Sequence, residues 1–173
     1  MHLTSDKRIW IPDDDDWIHW GETFEKIEFH NVLPHISKWD VALDVGAHVG
    51  IWSMKLAQNF KRVIAFEPVP KHIECWKKNM SMFKNKEWDM HENISTLETV
   101  ALGHENGTAP MKVPNTTNTG MASLVYEVFN QRTGARWVQP EWETFPEIVV
   151  ETRTLDSYEF DQLDFIKIDV EWF

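Results

Sequence analysis

At 173 residues the chain is long enough for one domain with a real core and short for two. Hydrophobic residues make up 42%, with ten Trp and ten Phe, a composition that excludes a disordered chain. A formal net charge of −11 and a pI near 5.1 give no general attraction to phosphate backbones or anionic lipid, so neither nucleic acid nor a membrane surface is expected as a partner.

The opening stretch M-H-L-T-S-D-K-R-I-W-I-P has no apolar signal-peptide core, and no apolar run nears the ~18 residues of a membrane span. A cytoplasmic protein is expected, and the sequons at Asn79, Asn93, Asn106 and Asn115 are then coincidences. Residues 1–36 read as an irregular and helical extension, with residues 37–173 as the functional domain. Within the extension, the contiguous acids Asp13 to Asp16 repel one another and read as a solvated loop rather than a cation site. Phe24 and Ile27, after Glu22, recur at helical spacing, which predicts a short helix ending before Pro34.

V-A-L-D-V, Val41 to Val45, is a compact apolar run closed by Gly46 and predicts a buried strand. Val49, Trp52, Leu56 and Phe60 follow at the spacing of one helix face. Arg62 to Glu67 predicts a second buried strand, and Pro70 suits the first turn of a helix whose inner face is Ile73, Trp76, Met80 and Phe83. Strand, helix, strand, helix is the pattern of a parallel α/β sheet. On that second helix and its exit, Lys71, Lys77, Lys78, Lys84 and Lys86 read as a solvated face. The lone cysteine, Cys75, reads as a packing residue, and it excludes an intramolecular disulfide.

Residues 85–98 are polar and read as a connection. Thr99 to Gly103 is expected as the third strand, forming a hairpin with Thr108 to Val113 through the turn at His104 to Gly107. N-T-T-N-T-G, Asn115 to Gly120, reads as loop, and the stretch to Pro146 with Trp137, Pro140 and Trp142 shows no clear period. Ile148 to Leu155 alternates as a strand, and Phe165 to Val170 predicts a buried closing strand.

The chemistry concentrates in A-L-D-V-G-A-H-V-G, Ala42 to Gly50. Gly46 and Gly50 flank a strand-to-helix turn where a ligand can approach the backbone and meet amide donors at a helix start. The spacing is neither G-x-G-x-x-G nor a phosphate-binding P-loop, which weakens dinucleotide and nucleotide triphosphate readings, including a nicotinamide-dependent oxidoreductase. Asp44 places a carboxylate where a pyrophosphate is repelled and a cation or amine welcomed. Glu67, at the end of the second strand, can accept hydrogen bonds from both hydroxyls of a ribose. S-adenosylmethionine, with its ribose, sulfonium and amino group, satisfies both. The eight histidines show no metal-ligand spacing, and no metal is expected.

D-V-G-A-H-V-G, V-I-A-F-E-P-V-P, V-A-L-G, T-L-D-S and F-I-K-I-D-V-E stand in the order found in FkbM-type methyltransferases, which the chain resembles from about Val32 to Glu171. That resemblance implies a Rossmann-like, class I methyltransferase sheet and S-adenosylmethionine as cofactor. It also implies O-methylation of a hydroxyl on a sugar or similar small acceptor. By position it assigns Asp44, Gly46, Ala47, His48, Gly50, Glu67 and Pro68 to the cofactor, with Val100 and Ala101 near its adenine. A looser match puts Asn118, Gly120 and Ser123 in the acceptor pocket. Asp169 and Glu171 fall beside the transferable methyl, with Asp169 the preferred base. The family continues D-V-E-G, whereas here Trp172 and Phe173 follow Glu171. The sheet is therefore expected to be truncated after its fourth core strand, leaving an apolar edge open to self-association or a complementing chain. The alternative expectation is a catalytically inactive cofactor-binding or interaction module.

Overall fold

The structure is a computed structural model, described for residues 1–5, 8–15, 29–84, 94–115, 119–124 and 144–170. The elements in chain order begin with a short antiparallel pair, β1 (His2–Leu3) and β2 (Trp10–Ile11). The alternating core follows: β3 (Val41–Val45), α1 (Ile51–Ala57), β4 (Arg62–Phe66), α2 (Pro70–Lys84) and β5 (Ile94–Glu98). After these come β6 (Ala101–Leu102), β7 (Gly107–Lys112), β8 (Glu147–Arg153) and β9 (Phe165–Ile168). Residues 29–32 are helical and run into a tight turn at Leu33–His35. The earlier part of that predicted helix, with Phe24 and Ile27, lies outside the described residues, as do Trp137, Pro140 and Trp142.

The main sheet is parallel, in the order β5-β4-β3-β9. The mixed α/β class expected from the sequence is thus present, with β3 and β4 as its inner strands. Apart from Asp44 and the strand-end Arg62 their two faces are apolar, as strands covered on both sides require. On one face Ala42, Val63 and Ala65 meet Trp52, Leu56, Trp76, Met80 and Phe83 of the helices. On the other, Leu43, Val45, Ile64 and Phe66 meet Leu155, Tyr158, Phe160 and Leu163, the connection that leads into β9. Both predicted helical stripes are therefore the buried stripes.

Three expectations for the second half are corrected. The third core strand is Ile94–Glu98, not Thr99 to Gly103; it pairs in parallel with β4 from Arg62↔Ile94 to Phe66↔Glu98. I-S-T-L-E reads as connection because a strand with a neighbour on only one described side tolerates polar residues. Second, Ala101–Leu102 joins a separate three-stranded sheet in the order β6-β8-β7. Third, β6 and β7 are not a hairpin: β8 lies between them, parallel to β6 and antiparallel to β7. A turn signal at His104 to Gly107 fixes a change of direction but not which strand receives the returning chain.

The N-terminal strand pair is docked on the core. Ile9 and Ile11 pack with Val49, Ile51 and Cys75. The Asn79 side chain on α2 donates to Trp10 O (2.9 Å) and Val49 O (2.8 Å), and accepts from Trp10 N (2.6 Å). Among the described residues no helix is long and apolar enough to cross a membrane.

Candidate functional site

Parallel strands bring their carboxyl ends to one edge, and β3, β4 and β9 deliver Gly46, Glu67 and Asp169 there. Gly46 has φ 75° and Gly50 φ 95°, both left-handed, and His48 between them has φ 50°. The turn is bound down by Gly46 N and Ala47 N, which both donate to Phe66 O at 3.1 and 3.0 Å. A Cβ at Gly46 would stand 2.1 Å from Asp169 O, so only glycine lets β9 close against the turn. Asp169 N donates to Val45 O at 3.0 Å, extending the β3–β9 ladder past Ile168.

Glu67, 5% exposed, is the acceptor around which the turn is organised. Its Oε2 accepts from His48 N at 2.8 Å; its Oε1 accepts from Val69 N at 2.9 Å and faces His72 Nδ1 at 3.2 Å. A carboxylate offers about four lone-pair sites. Three contacts leave one on Oε2, so Glu67 can take one ribose hydroxyl as it stands. Pro68 follows, half-buried, and Val69 is fully covered.

Asp44 does not face the edge. It is wholly buried, its Oδ2 accepting from Ser53 Oγ at 2.6 Å, and Ser53 Oγ in turn accepts from Trp76 Nε1 at 2.8 Å. Oδ1 has Lys167 Nζ at 3.1 Å, at ion-pair distance though not aligned as a hydrogen bond. The same ammonium donates to Gly46 O at 2.8 Å and lies 3.8 Å from Asp169 Oδ2. The Asp44 charge is thus compensated from within the sheet. Lys167 arrives there because β9 pairs Asp44↔Lys167 in register, which puts both side chains on the helix-bearing face. Sequence reasoning passed over Lys167, yet one cation inside the apolar run F-I-K-I was the signal.

His48 meets a second group of polar side chains. Its Nε2 is 3.2 Å from Thr119 Oγ1, and its ring stands edge-on to His72 with centroids 4.1 Å apart. Desolvation, reinforced by the neighbouring His72 ring and the charges of Lys167 and Lys71, holds the His48 imidazole well below its ordinary pKa and therefore neutral. Thr119 falls between two residues singled out in the sequence, Asn118 and Gly120. Asn118 lies outside the described residues; Gly120 is exposed, and Ser123 is buried, its backbone paired with Lys112.

The acidic run is solvated only in part: Asp13 is exposed, whereas Asp15 is buried. Asp15 is 3% exposed and accepts from Thr119 Oγ1 at 2.5 Å; Asp14 pairs with Lys71 at 2.7 Å and Asp13 with the N-terminal amine at 2.7 Å. Asp13, Asp14 and Asp15 each find their own donor, which offsets the mutual repulsion assumed from their contiguity; Asp16 lies outside the described residues. Lys71 correspondingly leaves the solvated lysine group, and Lys78 sits 3.9 Å over the Trp10 ring. Among the described residues no group of three potential ligands is placed to hold a metal. Cys75 is buried, and desolvation pushes its thiol up to about 11, which suits packing rather than chemistry.

Beside the carboxyl end of β5 a cleft of about 390 Å³ is lined by Glu98, Thr99, Val100, Arg153 and Tyr158. Val100 is thereby at the edge, while Ala101 is buried among Val69, Met111 and Val150. Asp169 is two-thirds exposed at the same edge, and Glu171 lies outside the described residues.

The family description "Methyltransferase FkbM domain" matches residues 44–171, from Asp44 through the last acid of I-K-I-D-V-E. The chain belongs to the FkbM methyltransferase family. Among solved structures, the crystal structure of Methyltransferase FkbM from Methylobacillus flagellatus KT is similar, at 16% identity and a TM-score of 0.45. The similarity covers 78% of this FkbM chain and 26% of the other, so the chain spans about a quarter of that protein's length. No curated protein matches the chain.

Proposed function

We propose that this FkbM domain binds S-adenosylmethionine over the Gly46–Gly50 turn and transfers its methyl to a hydroxyl of a sugar or other small acceptor. The observation that carries the reading is the convergence of Glu67, the glycine turn and Asp169 on one sheet edge, with an acceptor site left on Glu67 Oε2. Glu67 takes a ribose hydroxyl, Gly46 to His48 lie along the cofactor, and Val100 with its neighbouring cleft receives the adenine. Asp44 and Lys167 act from beneath, holding the turn and β9 in one geometry. We place the protein in the cytoplasm, a setting supported by its lone unpaired cysteine.

The cofactor supplies an electrophilic methyl on a sulfonium. The chain's own part is to hold the acceptor oxygen in line behind that carbon at near-attack distance. Asp169, two-thirds exposed at the edge, is placed to accept the hydroxyl proton as the new C–O bond forms and the C–S bond breaks.

Calorimetry with S-adenosylhomocysteine tests the cofactor: binding is expected, and binding of NAD in its place would overturn the assignment. Methyl transfer to a panel of hydroxyl compounds tests the reaction. There Asp169→Asn is expected to lower kcat by ~10²-fold or more with cofactor affinity retained. An unchanged rate would remove Asp169 as base, and cofactor binding with no acceptor methylated would leave a binding module.

A further inference from the structure

The cleft beside the carboxyl end of β5 holds polar groups that nothing else in the described fold engages. The Glu98 side chain and the Tyr158 hydroxyl both line it, and neither makes a hydrogen bond or an ion pair with a described residue. The other two charged groups of the lining satisfy each other, Arg153 Nε donating to Glu151 Oε1 at 2.7 Å. One charge is left over in the cleft, and it is negative. Such a lining repels a phosphate and suits a neutral ligand that presents hydrogen-bond donors.

Register fixes how these groups are arranged. Glu98 stands opposite Phe66 across the β4–β5 ladder, so the two side chains share one face of the sheet. Tyr158 covers that face, its ring edge-on to Phe66 with centroids 5.3 Å apart and stacked on Phe160 at 6.1 Å. Burial, followed by the charge of Glu98, pushes the Tyr158 phenol above its ordinary pKa, so the hydroxyl keeps its proton at neutral pH. A carboxylate acceptor and a phenolic donor therefore meet in one cleft, beside the apolar side chains of Leu97 and Val100.

Glu67 is next door. Its backbone N donates to Glu98 O at 3.1 Å, which makes the two strand ends bonded neighbours. In a nucleoside the base is joined directly to the ribose, so a ribose hydroxyl accepted by Glu67 leaves the base beside Glu98. Adenine presents an exocyclic amino donor with a ring-nitrogen acceptor adjoining it, which matches the carboxylate and the phenol. Hypoxanthine, with a keto oxygen in place of the amine, sets an acceptor against the carboxylate.

We infer that Glu98 is the specificity-determining residue of this cleft, its carboxylate accepting from the exocyclic amine of adenine while Tyr158 donates to the adjoining ring nitrogen. The inference deepens the cofactor reading above and rests on it for the ribose at Glu67; the preference for an amine belongs to the cleft.

The test uses the full chain, calorimetry and amide NMR with S-adenosylhomocysteine, S-inosylhomocysteine, adenosine and inosine. In the unaltered chain the adenine member of each pair should bind about tenfold or more tightly, because a charged acceptor rejects the analogue that lacks its donor. It should also shift the amides of Thr99 and Val100. Glu98→Gln keeps the shape and replaces the carboxylate by an amide, and it should bring the two members of each pair to within about threefold. Equal affinities for the two members in the unaltered chain would overturn the role of Glu98, whether or not the variant folds. So would S-adenosylhomocysteine binding that leaves the Thr99 and Val100 amides unmoved, and the cofactor reading would then stand alone. If adenosine binds with the expected preference and S-adenosylhomocysteine does not bind, the cofactor reading fails and the cleft assignment stands. If none of the four binds, both fail.

Discussion

Gly46 illustrates how a single missing side chain sets the site. Alanine there would take an unfavourable left-handed φ and place its Cβ 2.1 Å from the backbone of Asp169. Gly46→Ala is expected to destabilise by roughly 3 kcal/mol or more, read from urea unfolding, because strain and a backbone collision add. At Gly50, with φ 95°, the obstacle is the Trp76 ring at 2.7 Å, which burial and its hydrogen bond to Ser53 hold in place, so Gly50→Ala is also expected to destabilise. His48 adds a pH dependence. Its folded pKa lies well below 6.5, so below that pH the unfolded chain binds a proton that the folded one refuses. Stability from this group is full above about pH 6.5 and is lost as the pH falls, with a slope of up to ~1.4 kcal/mol per pH unit. His48→Asn, which tolerates the left-handed backbone, should flatten the acid side of a thermal-midpoint profile between about pH 5 and 6.5. A variant profile parallel to that of the unaltered chain would contradict the depressed pKa.

At the scale of elements, the decisive junction is β3 against β9. Register sets Lys167 beside Asp44, and the ammonium also holds the carbonyl that begins the glycine turn. Removing one partner leaves the other charge buried and uncompensated. Lys167→Met alone is therefore expected to cost ~3–5 kcal/mol, whereas Asp44→Asn combined with Lys167→Met should cost clearly less than the sum of the two single changes. Equilibrium unfolding of the four proteins in the cycle checks this, and strict additivity would show that the pair does not act as a unit. The same cycle read by calorimetry separates stability from cofactor binding, because the proposed role of Lys167 at the turn predicts loss of affinity even in the neutral pair.

At the scale of the whole molecule, Asn79 joins three regions that are distant in sequence: β2, α2 and the glycine turn before α1 through Val49 O. The buried amide satisfies both backbone groups of Trp10, so nothing replaces it when it is removed. Asn79→Ala should cost ~2–4 kcal/mol, since two acceptors and a donor lose their partner. Hydrogen exchange should rise selectively at residues 9–11, with the protection of β3 and β4 retained. Uniform loss of protection would mean instead that the N-terminal strands and the parallel sheet unfold as one unit.

Sequence by itself determined the inner half of this fold. Val41 to Val45, Arg62 to Glu67 and both helical stripes were legible because a strand or helix buried between layers must be apolar at its own period, whatever its partners are. The glycine turn and Glu67 were legible for the same local reason: a left-handed backbone and a strand-end acid are written in single residues. Tertiary structure alone decided the rest. I-S-T-L-E is a strand only because β4 offers it an edge, and Ala101–Leu102 leaves the main sheet because β8 is there to receive it. Lys167 compensates Asp44 only through register, and Asp15 becomes part of the site only because Thr119 waits for it across the fold. These contacts join residues far apart along the chain, and local periodicity carries no information about which distant group will supply the missing hydrogen bond or charge.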